Sequence, residues 1–445
     1  MIKLLLTIYN ILFVLLLVPV SLLLLIFSSK YRREVFYKLP ERFAFWFFSK
    51  DTSKKTVWIH CASLGEVRAV EPIINALKDD YCVVLTVLTK TGRQYAGKIE
   101  SLRFVSLLPL DIYPLTLRAF KIIQPDIFVI VETELWPSTL YAAKKCGVKI
   151  ITVNARMSEK SFKFYEKFRF FWRSFIGLID LIAARNSSDA KRFAAFRGGE
   201  KNIFVNGNIK YDRDFRVDFK RSDFGLTACG IVFTAGSVRA EETQIIAQAY
   251  NEIKQKYPEV KFFLAPRHLA HLSKIKKTLE KNNIKYCFFS EIVKPAADDT
   301  AENDDAGHPT GVLGNVKLIS GLQSGFILVD VFGELQNIYA VSDFSFVGGS
   351  LVNKGGQNPI EPAACGKPVL FGKYMSNFET EAQALLKSGG AFYVSNAKDI
   401  ASKITEFVEN KQAAISAGQN ALKAVESQKG AVNITVKQIK SELGK

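Results

Sequence analysis

The stretch WIHCASLGEVRAVEPIINAL, Trp58 to Leu77, decides the fold. VWIHCA, Val57 to Ala62, is a mostly apolar run ending in small residues, as a buried strand does. After SLGE, apolar side chains recur at Val67, Val70, Ile74 and Leu77, which is helical spacing. Strand, small-residue turn and helix make the opening unit of a parallel α/β domain, whose ligands bind beyond the carboxyl ends of the strands. Glu66 then points into a cleft from the first turn of a helix.

The same rhythm continues along the chain. YCVVLTVLT (81–89), DIFVIVE (126–132) and KIITVNA (149–155) are β-rich, LIDLIAAR and IFVNGNI follow, and helical stretches such as YPLTLRAFKIIQ lie between. This alternation predicts a parallel sheet covered by helices on both faces. Polar KYDRDFRVDFKRSDFG, Lys210 to Gly225, reads as a linker. Beyond it come GIVFTAGS, a helix from about Glu241, KFFLAPRH, FILVD, DFSFVGG and KPVLFG. Two doubly wound Rossmann-like α/β domains facing a cleft are therefore expected. Acidic ADDTAENDDAGHPTG, Ala297 to Gly311, lacks large apolar side chains and is expected to be a solvated loop.

The chain has 445 residues, enough for two such domains, and 48% of them are hydrophobic. Its 60 Lys and Arg against 43 Asp and Glu leave a net charge of +17, which favours phosphate-bearing substrates or an anionic membrane face. Zinc-finger spacing, an RNP-like aromatic box and a helix-turn-helix signal are all missing, so no nucleic-acid partner is expected. The cysteines lie far apart without a C-x-x-C, as reduced cytosolic thiols do.

Leu4 to Phe27, LLLTIYNILFVLLLVPVSLLLLIF, carries no charge and as a helix would extend ~36 Å. That length spans a ~30 Å hydrocarbon core with some tilt. The run ends in SSKYRREVFYK without a small-residue cleavage site, so a retained single-pass anchor is expected. Lys30, Arg32, Arg33 and Lys38 outweigh Lys3, which places the rest of the chain in the cytoplasm. The expected boundaries are an anchor over 1–28, a basic juxtamembrane segment over 29–50, domains over 51–212 and 226–445, and a linker over 213–225.

In the second half, a strand, DFSFVGG, precedes a loop containing Gly348, Gly349, Gly355 and Gly356 with Lys354, and a helix begins at NPIEPAACG. Glycines let backbone N–H groups approach an anion, and a helix start adds partial positive charge. Asn358, Pro359 and Glu361 also suit plain helix capping, but capping leaves the four glycines unexplained. A nucleotide site is expected here, with Glu361 available to accept hydrogen bonds from ribose hydroxyls.

These blocks carry a resemblance. SLGEVRAVEP, ETELWP, NARMSEKS, GNIKYD, APRH, FGEL and FVGGSLVNKGGQNPIEPAACGKPVLFG run in order from about residue 57 to 380. The chain resembles the 3-deoxy-D-manno-octulosonic acid (Kdo) transferases of lipopolysaccharide synthesis. That resemblance implies the B-type glycosyltransferase fold with an N-terminal transmembrane anchor helix. It implies inverting transfer of Kdo from CMP-Kdo to a lipid A precursor at the cytoplasmic face of the inner membrane, with no cofactor and no metal. The first domain would bind the acceptor and the second the CMP-sugar; the oligomeric state is left open. Glu66 matches the family's general base, and a helix N-terminus is expected to help keep it ionised. Glu132 and Lys210 match groups that stabilise the transition state, Lys210 at the leaving phosphate. Pro266, Arg267, Phe332, Gly333 and Glu334, with Asn358, Pro359, Ile360 and Glu361, match positions that hold CMP. A B-type transferase for another nucleotide sugar would share the glycine loop but not the ordered SLGE, ETELWP and NIKYD blocks. A non-catalytic membrane-bound nucleotide- or lipid-binding protein is the remaining rival.

Three positions depart from the family pattern. Val238-Arg239 stands where a Thr-His pair is usual, and Gln357 where a His is common. Asp212 to Asp214, DRD, looks like a metal motif only superficially, because it follows no sheet strand; His268 and His271 lack a third ligand. SEKSFKFYEKFRFFWRSF, 158–175, spaces Phe164, Phe168, Phe171 and Phe175 on one helical face among basic residues. An interfacial helix and an ordinary core-facing helix both fit that pattern.

Overall fold

A computed structural model describes residues 1–27, 32, 36–213, 215, 219–227, 230–295, 316–318, 324–331 and 333–444. Two compact units emerge: Met1–Arg213 with Gln428–Lys445, and Asp214–Ser427.

The first unit is built on seven strands: β1 (Thr56–Cys61), β2 (Cys82–Val87), β3 (Phe104–Leu107), β4 (Ile127–Val131), β5 (Lys149–Ala155), β6 (Leu181–Ala184) and β7 (Ile203–Val205). Their order is β3-β2-β1-β4-β5-β6-β7, and every pairing is parallel. β1, β2 and β4 are buried along their whole length, as strands covered by helices on both faces must be. The order reverses between β1 and β4, so their carboxyl ends border the crevice where such sheets bind ligands.

The second unit contains β8 (Val232–Val238), β9 (Lys261–Pro266), β10 (Tyr286–Phe288), β11 (Val293–Pro295), β12 (Val316–Leu318), β13 (Phe326–Leu328), β14 (Phe344–Val347), β15 (Val369–Phe371) and β16 (Ala391–Tyr393). Its main sheet runs β10-β13-β9-β8-β14-β15-β16, again all parallel, and reverses between β8 and β14. β11 and β12 form a separate antiparallel pair. β13 inserts between β9 and β10, an arrangement that pattern reading does not reveal because three-residue strands carry too little periodicity.

Three expectations need correction. The expected second domain, 226–445, is too long at its end. The terminal helix Ala431–Gly444 belongs to the first unit, where Ala431, Val436, Ile439 and Leu443 join a core cluster with Ile74 and Leu85. Its start is held by Asp212, whose carboxylate accepts from Gly430 N at 2.5 Å and Val432 N at 2.6 Å. An amphipathic helix shows which of its faces is apolar, but not which sheet will cover it.

The linker expected over 213–225 is structured in its second half. Phe224 is buried with Phe263 and Ile327, and Arg221 bonds Asp343 at 2.6 Å and the carbonyls of Val341 and Gly230. The aromatic stretch 158–175 is two helices, Glu159–Lys167 and Arg169–Ile176, which break at Phe168. Phe164 and Phe168 are exposed, whereas Phe175 is buried, so the four aromatics do not share one face.

Within the helix Ile2–Phe27, the span Ile2–Ser21 is long and apolar enough to cross a membrane. The acidic segment 297–311 and Phe332 lie outside the described residues.

Candidate active site

In the first unit, the chain leaves β1 through Ala62 and Ser63 and enters the helix Leu64–Leu77. Glu66, in its first turn, folds back so that its carboxylate accepts Ala62 N at 2.5 Å and the Ser63 hydroxyl at 3.2 Å. Next to β1, β4 ends at Val131, and Glu132 follows in the left-handed region at φ 59°. A bulky residue rarely adopts that conformation, and such strain concentrates at functional sites. Lys210 bonds Glu132 Oε1 at 2.6 Å. The lysine sits on a short turn, Ile209–Asp212, held by two asparagines. Asn154, at a bulge in β5 with φ 51°, accepts Ile209 N at 3.2 Å, and Asn208 accepts Lys210 N at 3.1 Å. Glu134 accepts the Trp136 indole N–H at 2.8 Å.

The carboxylates titrate apart. Burial, then repulsion from Glu132 and Glu134, pushes the Glu66 pKa up to about 7, against the opposing pull of the Ala62 N–H and Lys210. Whatever help the helix start gives the ionised form, desolvation and like charge raise the pKa of Glu66. Burial alone would raise Glu132 as well, but Lys210, with Arg156 and Arg185, holds it below the usual carboxylate range. Glu134 is raised by burial and by Glu132. Burial and these three carboxylates lift the Cys61 thiol far above its ordinary value, so it stays protonated. Arg156 and Arg185 each follow the last residue of a strand, β5 and β6. That position was the available sequence signal, and pattern reading passed over it.

In the second unit, the reversal point is organised by a residue to which sequence reading assigned no role. Glu242 is fully buried, and its carboxylate accepts the N–H groups of Arg239 at 2.9 Å, Gly349 at 2.7 Å, Ser350 at 3.0 Å and Leu351 at 2.9 Å. The start of the glycine loop therefore has its amides taken by a protein carboxylate, and those amides do not hold a phosphate as expected. Gly348 is required by contact: a Cβ there would lie 2.4 Å from Ser237 O. Ser237 itself adopts φ 55° where the β8–β9 register shifts.

Asn358 accepts Ile360 N at 3.1 Å and donates to Glu361 Oε1 at 3.3 Å, at the start of the short helix Ile360–Ala364. Pro359 and Ile360 are buried. Arg267 follows β9, bonded through its N–H to Val238 O at 2.9 Å. Loss of solvent and the positive charge of Arg239 lower its pKa, and Glu361 opposes them. These three charges thus share one neighbourhood. Arg239 donates to His268 Nε2 at 3.1 Å, so that nitrogen is engaged by a guanidinium rather than offered to a metal. Glu334 is buried, accepts from Asn337 at 2.8 Å and follows Gly333 at φ 97°; Pro266 closes β9.

The geometry thus gathers Glu66, Glu132 and Lys210 in one unit, and Arg267 and Glu361, with Arg239, in the other. Residues 37–213 match the family model described as 3-deoxy-D-manno-octulosonic-acid transferase (kdotransferase). A 3-deoxy-D-manno-octulosonic acid transferase of Aquifex aeolicus is 30% identical over 371 residues, covering 82% of this chain and 90% of the relative. One of Haemophilus influenzae is 28% identical over 399 residues, covering 88% and 86%. Among solved structures, a glycosyltransferase of Rickettsia africae aligns with a TM-score of 0.58 at 13% identity over 88% of this chain and 99% of its own, a likeness of fold. The fold is that of the B-type glycosyltransferases.

Proposed function

The chain belongs to the 3-deoxy-D-manno-octulosonic acid transferase family, and on that premise we propose that it moves Kdo from CMP-Kdo onto a lipid A precursor with inversion. The reading is supported most directly by the split between Glu66, raised to about 7, and Glu132, held ionised by Lys210. A sugar hydroxyl is a weak nucleophile, and a base titrating near neutrality both accepts its proton and is ionised enough to do so. Glu66 takes that proton as the acceptor oxygen bonds to the anomeric carbon of Kdo. The bond from that carbon to the phosphate oxygen breaks, and CMP leaves with the electron pair.

Glu132 serves twice in this scheme. Its fixed negative charge favours the oxocarbenium character of the sugar, and its repulsion strengthens Glu66 as a base. Lys210 keeps Glu132 ionised and offsets charge growing on the departing phosphate. In the second unit, Arg267, Gly333, Glu334 and the turn Asn358-Pro359-Ile360-Glu361 form the CMP site. Arg239 places a guanidinium beside Arg267 and Glu361 where the family usually has a histidine. The acceptor is membrane-borne, reached from the cytoplasmic side through the N-terminal apolar helix.

Transfer from CMP-Kdo to a purified lipid A precursor, followed by mass spectrometry, tests this with wild type and Glu66→Ala. Loss of product with CMP binding retained is expected. Equal turnover removes Glu66 from its role, and inhibition by UDP in preference to CMP overturns the donor.

A further inference from the structure

β5 ends in a bulge beside Glu132, whose N–H donates to Val153 O at 3.0 Å. The register between β5 and β6 shifts between Thr152 and Ala155, and Asn154, inside the shift, sits at φ 51°. A bulge bends its strand and re-aims the side chains beyond it. The first side chain beyond β5 is Arg156, and the backbone on both sides of it is clamped. Ala155 O accepts Arg185 N at 3.0 Å, Met157 N donates to Asp189 Oδ1 at 2.9 Å, and Arg192 Nη1 donates to Met157 O at 2.6 Å. Ala155 and Met157 are fully buried, whereas Arg156 is half-buried, so its side chain leaves the core where theirs enter it.

The other cations around this strand end are engaged. Lys210 bonds Glu132 at 2.6 Å, and Arg185 and Arg192 lie 3.5 Å and 3.6 Å from the buried Asp189 carboxylate. Arg156 makes no hydrogen bond and no ion pair among the described residues. Its charge nevertheless reaches Glu132 and helps to lower that carboxylate's pKa, while Glu132 in turn raises Glu66. Glu132 is thus the shared neighbour of Arg156 and Glu66. A guanidinium is a planar fork of N–H donors with no acceptor. Fixed half out of water with that fork unbonded, it suits an oxyanion brought by a ligand and gripped through two parallel bonds. Its nitrogens are not among the sealed, unpartnered side-chain atoms, so a ligand can reach them.

Resting on the transfer reaction proposed above, we infer that Arg156 is a substrate-binding residue of the first unit, which grips a phosphate carried by the acceptor and so sets the acceptor hydroxyl against Glu66. The acceptor is the substrate whose proton Glu66 takes, so an anion held one carboxylate away from that base belongs to it. Arg156 lies in the NARMSEKS block that carried the resemblance, where sequence reading gave it no role.

The phosphate-bearing acceptor and the same acceptor stripped by a phosphatase would be compared with wild type, Arg156→Ala and Arg156→Lys. Product would be quantified by mass spectrometry, with kcat and with KM for acceptor and donor read separately. Arg156→Ala should raise the acceptor KM about 10- to 100-fold, the range of a hydrogen bond to a charged group. Wild type should lose a similar factor on the stripped acceptor, and Arg156→Ala should no longer distinguish the two acceptors. Arg156→Lys, which keeps the charge without the fork, should recover part of the loss, and the donor KM should stay at its wild-type value. An equal loss on both acceptors marks a structural role and overturns the inference. A raised donor KM with discrimination between acceptors intact moves the contact to the carboxylate of the donor sugar and overturns it as well. If circular dichroism shows that Arg156→Ala does not fold, the same comparison made with Arg156→Lys decides. Wild type that forms no product from CMP-Kdo with either acceptor overturns the proposed reaction, and this inference with it.

Discussion

At the reversal of the first sheet, between β1 and β4, three carboxylates repel one another. At the reversal of the second, between β8 and β14, one carboxylate is shared among four backbone amides. The local chain pattern is similar in both places: a strand, a short turn, an acid at the start of a helix, and the helix. Glu66 and Glu242 occupy that pattern in turn. What separates them is the neighbouring strand. β4 delivers another acid, Glu132, whereas β14 delivers Gly348 and a run of N–H groups, at Gly349, Ser350 and Leu351, that Glu242 accepts. One glutamate is left to titrate near neutrality and do chemistry; the other is consumed in holding a loop.

The largest expected effect tests that division directly. Glu66→Ala should lower turnover by about 10²- to 10⁴-fold, the usual worth of a positioned base, with little change in KM for the donor. Circular dichroism and melting temperature should stay close to wild type. Glu242→Ala should do the reverse. Several buried N–H groups lose their acceptor, at a cost of about 3 kcal/mol, seen as a lower midpoint in urea unfolding and weaker CMP binding. A Glu242→Ala protein of wild-type stability would break the comparison. Asp212→Ala removes the cap of the terminal helix and should cost about 1–2 kcal/mol, read in the same unfolding experiment.

The smallest effect sharpens the electrostatics. In wild type, the acid limb of kcat should fall near pH 7, where Glu66 loses its charge. Glu132→Gln removes the largest like-charge neighbour, so the Glu66 pKa drops and the limb moves to lower pH, whatever happens to the maximal rate. An unmoved limb would mean that burial alone sets the base.

Much of this was legible in the chain itself. Period-2 and continuous apolar runs located β1, β2, β4, β5 and β14, and the ordered motifs pointed to Glu66, Glu132 and Lys210. Short strands such as β3, β10 and β16 were missed, because three or four residues cannot display a period. Glu242 went unassigned because an acid beside a helix start looks the same whether it faces solvent or accepts hydrogen bonds from a loop 107 residues away.

By itself, then, the sequence determined the alternation of strands and helices, the two-unit plan, the excess of positive charge and the apolar N-terminal run, because each is a local property of side chains and spacing. Only the tertiary structure decided which strands became neighbours at the reversal points and which sheet received the terminal helix. Those outcomes depend on long-range packing. A carboxylate's pKa near 7 is likewise a property of the charges and burial around it, and no single stretch of chain contains them.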